Sequence, residues 1–414
     1  MKIIHCVEAY NPAVNGMQTV VCQLSERLVE LGHEVTVLTS KDTNRKERTI
    51  KGVKVVDFSI KGNQVNGFYG EIENFQRYIQ SEPCDIFVNF AAQQWSSDLT
   101  FPVLNKIPAK KVFVPTGFSG FYDPKYKKYY EMMEGWIKMY DANIFLSHDY
   151  RDINFARKHQ ANNIVVIPNG ANEREFAKPI DHVKVKGKYS KSTEGFIVLT
   201  VGSHTSLKGH NECMKVFRKA KLRNSSLIIV GNTPCFTLKF TLKAIIKTSL
   251  SFLFHRIKPD CTINCKLKSF LFNWNPVNFF RKSKILVVNL SREETVELFK
   301  ASDVFLFASN IECSPIVLFE CCAVSLPFLV ADVGNSAEIL SWTSCGEMLE
   351  TKKDRLGFSH IHIDKSALQL KKIYNQPEYR NQLGKNGYNA FCAKYNWNTI
   401  ASKYEALYYS LLNN

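Results

Sequence analysis

Short apolar runs alternate with amphipathic segments along the first 170 residues. Two segments have helical periodicity: TVVCQLSERLVELG, which ends at Gly32, and a stretch near Phe68 to Gln80. The runs that predict strands are KIIHCVEA, HEVTVLTS, GVKVVDFS, CDIFVNF, KKVFVPTG, ANIFLSH and NIVVIPNG. Because most of these runs are continuously apolar, they indicate a parallel sheet that helices cover on both faces.

The same alternation starts again after a polar, Lys-rich stretch from Ala171 to Gly195, which predicts a connection between domains. The second series predicts the strands GFIVLTVG, SSLIIVGN, KILVVNL, DVFLFAS and PFLVADV and the helices GHNECMKVFRKAKL, REETVELFKAS and PIVLFECCAV. We therefore predict an α/β protein of two doubly wound, Rossmann-like domains, residues 1–170 and 196–395, joined by residues 171–195. Ligands of such sheets bind beyond the carboxyl ends of the strands, and pockets favour domain interfaces.

Composition adds one unusual feature, a net charge of +16 in a chain of 414 residues with an ordinary 45% of hydrophobic and 22% of charged residues. The excess is concentrated in an insertion at about residues 232–284. From Gly231 to Lys284 the chain carries ten Lys and Arg residues and a single acid, Asp260, a local net charge of +9. This concentration predicts an anionic partner surface rather than a generally basic fold.

The N-terminal MKIIHCVEAYNP becomes polar too early for a signal peptide, and no stretch reaches ~18 uninterrupted apolar residues, so we expect no spanning helix. The twelve cysteines are scattered. Cys261 and Cys265, with Cys235 upstream, come closest to the ligand spacing of a zinc site. Two or three sulfurs without a partnered His pair favour free thiols in a reducing cytosol, and we expect no metal site.

Residues 309–322, SNIECSPIVLFECC, place two carboxylates around the start of a predicted helix. Pro315 suits its first turn, and Ser314 is the expected cap. Glu312 then lies in the preceding loop and Glu320 inside the helix. A helix N-terminus attracts phosphates, and a nearby carboxylate accepts hydrogen bonds from sugar hydroxyls. The alternative is that Glu312 is a solvated loop acid and Glu320 a surface acid of the helix.

In each domain, the loop that follows the first strand contains a further candidate residue. VGSHTSLKGH places Lys208 just before a helix, where a lysine can neutralise a diphosphate. AYNPAVNGMQ places Gly16 in a loop where the backbone can approach a ligand closely. By position, Glu8 and His148 are further candidates, although an ordinary structural role is the more common one for such residues.

These motifs together resemble a retaining GT-B glycosyltransferase of family 4, the glycosyl transferases group 1, of the kind that builds bacterial surface polysaccharides. Glu312 and Glu320 have that family's spacing of two glutamates separated by seven residues. The resemblance covers nearly the whole chain apart from the basic insertion. The stretches that carry it, in order, are NGMQTVVCQLSERLVELGHEVTVLTS, VVIPNGANEREF, VGSHTSLKGH, ASDVFLFASNIECSPIVLFECCA, PFLVADVGNSAEIL and YNWNTIASKYEALY.

The resemblance implies roles for individual residues. Glu320 would hold the ribose hydroxyls of a nucleotide-diphosphate sugar, UDP- or GDP-linked most often, and Glu312 would sit beside the transferred sugar. Lys208 would stabilise the leaving diphosphate in place of a metal ion, and Gly16 would close over the donor. A C-terminal helix, residues 396–414, would cross back to the first domain, and domain closure would exclude water.

Backbone amides from Cys313 to Val317 would line the sugar and phosphates; Ser314, Ile316 and Val317 can donate there, whereas Pro315 has no N–H. The implied enzyme is a hexosyl-type transferase of class EC 2.4, without cofactor or metal. Its acceptor would be a glycan or a lipid-linked sugar in surface polysaccharide or lipopolysaccharide synthesis. Its place would be the cytoplasm or the inner face of the cell membrane.

Three positions depart from the family pattern. Asn15 stands where a first glycine is usual, Ser203 where an Arg is usual, and Thr116 where many members have a His. His204 or Arg292 could supply the charge missing at position 203. Two other functions therefore stay open: a non-catalytic partner that binds nucleotide sugars or membranes, and a nucleotide-sugar 2-epimerase on the same fold.

The basic insertion contains LKFTLKAIIKTSLSFLFHRIK, residues 238–258, with lysines spaced four apart on one helical stripe, and then LKSFLFNWNPVNFFRK, residues 267–282. Bases beside Phe and Trp suit an anionic membrane surface, so residues 238–282 are a predicted membrane contact. The alternative is a helical hairpin packed on the second domain with solvated lysines. We expect no nucleic acid partner, since no nucleic-acid module accompanies the charge.

Overall fold

The structure is a computed structural model that describes residues 1–12, 15–232 and 261–413. The chain forms two compact units. Unit 1 comprises Met1–Gly170 and Lys394–Asn414, and unit 2 comprises Ala171–Ala393.

Unit 1 is built on a mainly parallel sheet. Its strands are β1 (Lys2–Cys6), β2 (Glu34–Ser40), β3 (Thr49–Ile50), β4 (Val53–Phe58), β5 (Ile60–Asn63), β6 (Gly67–Gly70), β7 (Ile86–Phe90), β8 (Lys110–Val114), β9 (Ala142–Phe145) and β10 (Ile164–Val166). Eight of these described strands form one sheet in the order β10-β9-β8-β7-β1-β2-β4-β3, parallel except for β3, while β5 and β6 pair as an antiparallel hairpin. All five residues of β7 are buried, as expected of a strand covered on both faces.

Helices cover this sheet around a core that includes the fully buried Phe75, Trp95 and Phe113. The helices of unit 1 are α1 (Gly16–Glu30), α2 (Ile72–Ser81), α3 (Trp95–Asp98), α4 (Lys127–Trp136), α5 (Arg151–Lys158) and, from the end of the chain, α16 (Trp397–Leu412). The short 3-10 helices are Phe101–Lys106, Pro124–Tyr126 and Ile137–Met139. Helix α16 is bound to unit 1 because Arg27 Nε donates to Asn398 Oδ1 at 3.0 Å and His33 Nε2 lies 2.7 Å from Glu405 Oε1.

Unit 2 repeats the architecture with a second parallel sheet. Its strands are β11 (Phe196–Val201), β12 (Ser225–Val230), β13 (Ser283–Val288), β14 (Val304–Phe307), β15 (Phe328–Ala331), β16 (Gly346–Leu349), β17 (Thr351–Lys353) and β18 (Ser359–Ile361). Within the described ranges the main sheet has the order β13-β12-β11-β14-β15-β16, all parallel, and β17 pairs with β18 in an antiparallel ribbon. The predicted fold class, two Rossmann-like α/β domains, is confirmed.

The strand order of this sheet, which reverses between β11 and β14, is that of a doubly wound fold, and helices connect its strands. The helices of unit 2 are α6 (Glu173–Ala177), α7 (His182–Tyr189), α8 (His210–Ala220), α9 (Thr262–Asn273), α10 (Pro276–Phe280), α11 (Arg292–Ala301), α12 (Ile316–Ala323), α13 (Ser336–Thr343), α14 (Ile363–Asn375) and α15 (Pro377–Ala390), followed by the π-helical turn Phe391–Tyr395. The predicted connection 171–195 thus contains two short helices, α6 and α7.

The structure corrects one predicted element. The helix expected near Phe68 to Gln80 begins only at Ile72, and Phe68 lies in strand β6 of the hairpin. Glycines at 62, 67 and 70 disfavour a helix there. The expected basic helix at residues 238–258 lies outside the described residues. No helix in the described parts of the chain combines the length and apolarity needed to cross a membrane.

Candidate active site

The sequence-predicted residues of unit 2 lie where its parallel strands end. Strand β11 pairs with β12 on one side and with β14 on the other, so the chain order reverses between β11 and β14. Open α/β sheets bind ligands at such a switch point. Lys208 lies in the loop that follows β11, and Glu312 lies in the loop that follows β14.

Lys208 and Glu312 form an ion pair across these two loops. Lys208 Nζ lies 2.6 Å from Glu312 Oε1, and Ser309 Oγ donates to the same oxygen at 2.7 Å. The side chains of Lys208 and Glu312 are 29% and 13% exposed, so solvent screens the pair only in part. The amide of Asn310 donates to Leu207 O at 2.8 Å, which joins the two loops by their backbones.

Two glycines allow these loops to approach closely. Gly209 has a φ of +66°, and a Cβ at this position would lie 1.8 Å from the carbonyl oxygen of Ala308. Gly334, in the loop after β15, has a φ of +58°, and a Cβ there would lie 2.3 Å from Cys313 O. Larger residues at either position would displace the backbone that carries Lys208 or Glu312.

The start of helix α12 differs in detail from the prediction. Pro315, with φ −71° and ψ 111°, is the N-cap residue, so Ser314 precedes the cap and the expected Ser314 cap is wrong. The extended ψ of Pro315 places the first helical residue at Ile316. The first intrahelical bond runs from the amide of Leu318 to Pro315 O at 3.2 Å. The amides of Ile316 and Val317 therefore belong to the first turn, at the positive end of the helix dipole.

One turn into α12, Glu320 is buried and paired with Arg292, the first residue of α11. Arg292 Nη2 donates to Glu320 Oε1 at 2.5 Å. The same guanidinium binds Glu175 through two bonds, Nε to Oε1 at 2.8 Å and Nη2 to Oε2 at 2.7 Å. Burial opposes the charge of Arg292, but the two carboxylates outweigh it and raise the pKa of Arg292 above its ordinary value.

Glu175 was not predicted as a site residue. It lies in α6, inside the stretch VVIPNGANEREF that carries part of the family resemblance, and 117 positions before Arg292. The guanidinium also lies over the ring of Phe176, 5.5 Å from its centroid. Sequence spacing cannot predict that Glu175 pairs with Arg292, because the two residues meet only when unit 2 folds and α6 packs beside α11 and α12.

Comparison with known families decides the assignment. The model of the glycosyl transferases group 1 matches residues 181–390, and the model of Glycosyltransferase Family 4 matches residues 14–175. The chain is a member of the glycosyl transferases group 1. The first of these matches contains Lys208, Arg292, Glu312 and Glu320, and Glu175 is the last residue of the second.

Individual relatives of this glycosyltransferase are distant. It is 21% identical to the N-acetyl-alpha-D-glucosaminyl L-malate synthase of Bacillus anthracis over 100% of this chain and 98% of the relative. Among solved structures, the sucrose-phosphate synthase from Thermosynechococcus elongatus superposes with a TM-score of 0.74 at 16% identity, covering 100% and 99% of the two chains. Anabaena HepE in complex with UDP superposes with a TM-score of 0.70 at 12% identity, covering 99% and 100%. These structures establish the GT-B fold.

The two residues suggested as substitutes for the charge missing at Ser203 have different positions in the glycosyltransferase. Arg292 is bound to the two glutamates. His204 is buried, with its Nδ1 atom 3.2 Å from His210 Nδ1 and 3.3 Å from Cys261 Sγ. His204 therefore packs into a cluster of histidine and cysteine residues beside the Lys208 loop.

Gly16 and Glu8 lie in unit 1 of the glycosyltransferase, around the end of β1. Gly16 is the first residue of α1, whose N-cap Asn15 accepts a hydrogen bond from the amide of Gln18 at 2.8 Å. Residues 13 and 14, in the same loop, lie outside the described residues. Glu8 follows β1 directly, and burial raises the pKa of its carboxyl. Strand β1 pairs with β2 and β7, so this loop also follows a switch point.

Thr116 and His148 are the remaining predicted positions of unit 1. Thr116 has a φ of +59° after β8, next to Gly117, whose amide donates to Asp152 Oδ2 at 2.8 Å. Burial raises the pKa of Asp152 to about 6. His148 is exposed, and its carbonyl accepts a hydrogen bond from Arg157 at 2.7 Å.

Proposed function

We propose that this glycosyltransferase moves a sugar from a nucleotide-diphosphate sugar to a glycan or lipid-linked acceptor, with retention of the anomeric configuration. The observation that carries the proposal is the arrangement of two ion pairs, Lys208–Glu312 and Arg292–Glu320, at the switch point of unit 2. A cation, a helix N-terminus and two carboxylates at one end of a sheet suit a ligand that combines phosphates with hydroxyls.

Each group has a defined task in this reaction. The bond from the sugar C1 to the diphosphate breaks, the acceptor hydroxyl bonds to C1 on the same face, and its proton passes to the leaving diphosphate. The charge that develops on the diphosphate is stabilised by Lys208 and by the amides of Ile316 and Val317. Glu312 accepts hydrogen bonds from hydroxyls of the transferred sugar, and Glu320 from the ribose. Because Lys208 supplies the positive charge, the transfer needs no metal ion at the diphosphate.

The nucleotide and the acceptor are proposed on different grounds. UDP or GDP is the proposed carrier, and HepE, which has the same fold, has been solved with UDP. The name of one relative, the N-acetyl-alpha-D-glucosaminyl L-malate synthase, includes L-malate, so membership of the family does not define the acceptor of this chain. A lipid-linked acceptor in surface polysaccharide or lipopolysaccharide synthesis is proposed by analogy with the family and from the surface of α9 and α10.

Nucleotide binding tests the donor site directly. We expect calorimetry with UDP, GDP, ADP and CMP to show selective binding of one nucleotide. Glu320→Ala should weaken that binding by ~1–3 kcal/mol, because a charged hydrogen bond to the ribose is lost. The change leaves Arg292 paired with Glu175, so the guanidinium keeps one counter-charge.

Glu378→Ala, at an exposed glutamate in the first turn of α15, is the matched control and should bind the nucleotide like wild type. If a folded sample binds none of the four nucleotides, the donor site is assigned wrongly. If one nucleotide binds but no donor is turned over with any acceptor, the non-catalytic alternative is correct. The anomeric configuration of the product, read by NMR, distinguishes retention from inversion.

A second surface of unit 2 supports contact with a membrane. Helices α9 and α10 expose large apolar side chains, with Trp274 73% and Phe280 84% exposed. The others, each more than half exposed, are Leu267, Phe270, Leu271, Val277 and Phe279. Lys266, Arg281 and Lys282 lie in the same segment. We propose that this apolar and basic surface rests on an anionic membrane, at the inner face of the cell membrane.

Vesicle binding tests this contact. Wild-type protein should co-sediment with vesicles that contain anionic phosphatidylserine or phosphatidylglycerol and much less with neutral phosphatidylcholine vesicles. Replacing both Trp274 and Phe280 with Ser should weaken this binding by about 100-fold or more, because each buried aromatic contributes roughly 1.5–3 kcal/mol. Tyr69→Ser, at a tyrosine of unit 1 that is 71% exposed, is the control and should leave binding unchanged. Equal binding of the double variant and wild type would contradict the proposed surface.

A further inference from the structure

Two histidines and two cysteines from separate parts of unit 2 converge beside the Lys208 loop. They are His204, His210, Cys261 and Cys265, and one potential ligand atom from each lies within 4.8 Å of the others. Among the described residues this is the single group of three or more such side chains with metal-ligand spacing. None of the four is among the residues to which the family resemblance assigns a role at the donor site.

The fold places each of the four side chains. His204 lies in the loop after β11, and His210 is the first residue of α8. Cys261 is the N-cap residue of α9 and Cys265 lies one turn later, where i and i+4 side chains share a helix face. The amide of Cys261 donates to His204 O at 3.1 Å, which fixes the start of α9 against the loop.

Three distances among His204 Nδ1, His210 Nδ1 and Cys261 Sγ match a tetrahedral zinc site, and Cys265 Sγ lies within 4.8 Å of these atoms. Bonds of about 2.3 Å to sulfur and about 2.0–2.1 Å to nitrogen separate the ligand atoms of such a site by roughly 3.3–3.8 Å. Here the two Nδ1 atoms are 3.2 Å apart, and Cys261 Sγ lies 3.3 Å from His204 Nδ1 and 3.7 Å from His210 Nδ1.

The polar contacts of both rings in the described parts of the chain lie on the Nδ1 side, toward each other and toward Cys261 Sγ. Without an ion, one of the two facing Nδ1 atoms has to donate to the other. The buried Nε2 atoms of His204 and His210 have no hydrogen-bond partner among the described residues, so the rings are held there through Nδ1. A cation between the Nδ1 atoms lets both rings direct a lone pair inward. His204, His210 and Cys265 are buried, at 4%, 2% and 2% exposed, and Cys261 is half-buried, so three of the four side chains are shielded from solvent, as ligands of structural zinc sites are.

We propose that His204 Nδ1, His210 Nδ1, Cys261 Sγ and Cys265 Sγ bind one zinc ion. Two thiolates and two neutral imidazoles make the site electrically neutral. The ion therefore does not replace the positive charge that the family has at position 203, and its role is to hold backbone in place. Four ligands fill a tetrahedral site, so no position is open for catalysis.

The ion would fix the loop that carries Lys208. His204 and His210 lie four residues before and two residues after Lys208, so binding both rings fixes both ends of this segment against α9. Lys268 in α9 also hydrogen-bonds Asn211 in α8. If loss of the ion displaces Lys208, donor binding weakens. This consequence alone rests on the proposed function.

Metal content tests the site independently of any activity. Protein purified without chelators should contain one zinc per chain by inductively coupled plasma mass spectrometry. Cobalt-substituted protein should show the thiolate-to-cobalt charge-transfer band and the intense d–d bands of tetrahedral cobalt. Cys265→Ser should lower zinc affinity by more than about 100-fold, whereas Cys392→Ser, at an exposed cysteine, should retain the ion.

Thiol titration of the wild-type protein provides a test that does not depend on how the variants fold. After chelation, two more thiols should react with Ellman's reagent than before, and zinc should protect them again. The proposal is overturned if the wild type holds no zinc after equilibration with zinc, or if Cys265→Ser retains it. A mass lower by two hydrogens, which would show a disulfide between Cys261 and Cys265, would overturn it as well. If removal of zinc leaves nucleotide binding unchanged, the zinc site is supported and donor binding does not depend on it.

Discussion

Replacing Lys208 with methionine is expected to lower the rate of sugar transfer by about 100- to 1,000-fold, the usual cost of removing one group that stabilises a leaving charge. Methionine keeps much of the apolar stem, whose Cγ lies close to Gly202, and removes only the ammonium group. Glu312 then keeps its hydrogen bond from Ser309 but loses its counter-charge. The rate is measured as nucleotide release from the donor that calorimetry identifies.

Lys215→Met is the matched control, since Lys215 is exposed on α8, seven residues further along the chain. Its activity should equal that of wild type. Lys208→Arg keeps the charge and should retain more activity than Lys208→Met. If Lys208→Met transfers sugar at nearly the wild-type rate while Glu320→Ala still weakens nucleotide binding, Lys208 has no role at the diphosphate.

Asp98 in unit 1 is expected to make stability depend on pH near neutrality. Its side chain is 1% exposed; its Oδ1 accepts a bond from Tyr129 at 2.8 Å and its Oδ2 one from the amide of Gln64 at 2.9 Å. Burial outweighs these bonds and, with a smaller contribution from Glu8, raises the pKa of Asp98 to about 7. The ordinary value is 3.8.

Proton binding to Asp98 determines whether stability rises or falls with pH. Between about pH 4 and pH 7 the folded chain holds a proton on Asp98 that the unfolded chain has released, so raising the pH favours unfolding. The contribution is fully present below pH 4 and lost by about pH 7. At about 1.4 kcal/mol for each pKa unit, the loss is on the order of 4 kcal/mol. Asp98→Asn should remove it, since an amide can accept from Gln64 and donate to the Tyr129 hydroxyl.

Urea denaturation followed by tryptophan fluorescence at pH 5 and pH 8 measures this difference. The wild type should lose several kcal/mol relative to Asp98→Asn between the two conditions. Asp123→Asn, at an exposed aspartate, should follow the wild type. Parallel pH profiles for wild type and Asp98→Asn would mean that Asp98 ionises at its ordinary pKa in the folded state.

The main strands could be predicted from sequence because a strand buried on both faces is largely apolar, as in VFLF of β14 and in IFVNF of β7, where only Asn89 is polar. The short strands were missed for the opposite reason. In β16 (GEML) only Leu349 is buried, and β17 (TKK) has no apolar residue. Such strands are defined by their neighbours, and their own residues carry little signal.

The candidate site was predicted only where its residues are close in the chain. Glu312 and Glu320 flank one helix start, and Lys208 precedes another, so local spacing identifies them. Glu175 and Arg292 are 117 positions apart, and their pairing depends on how α6 and α11 pack. Sequence spacing also failed to connect Cys261 and Cys265 with His204 and His210, because the histidines lie 51 or more positions before the cysteines.

The division of the chain into Met1–Gly170 with Lys394–Asn414 and Ala171–Ala393 has a consequence for biosynthesis. A ribosome completes every residue of unit 2 before it makes α16, the helix whose Asn398 bonds to Arg27 of α1 and whose Glu405 bonds to His33. Nascent unit 1 therefore exposes the face of α1 that α16 will cover for as long as 223 intervening residues are being translated. During that interval, chaperones that bind apolar helix faces could bind this face of α1. A fragment ending at Gly170 would expose the same face permanently.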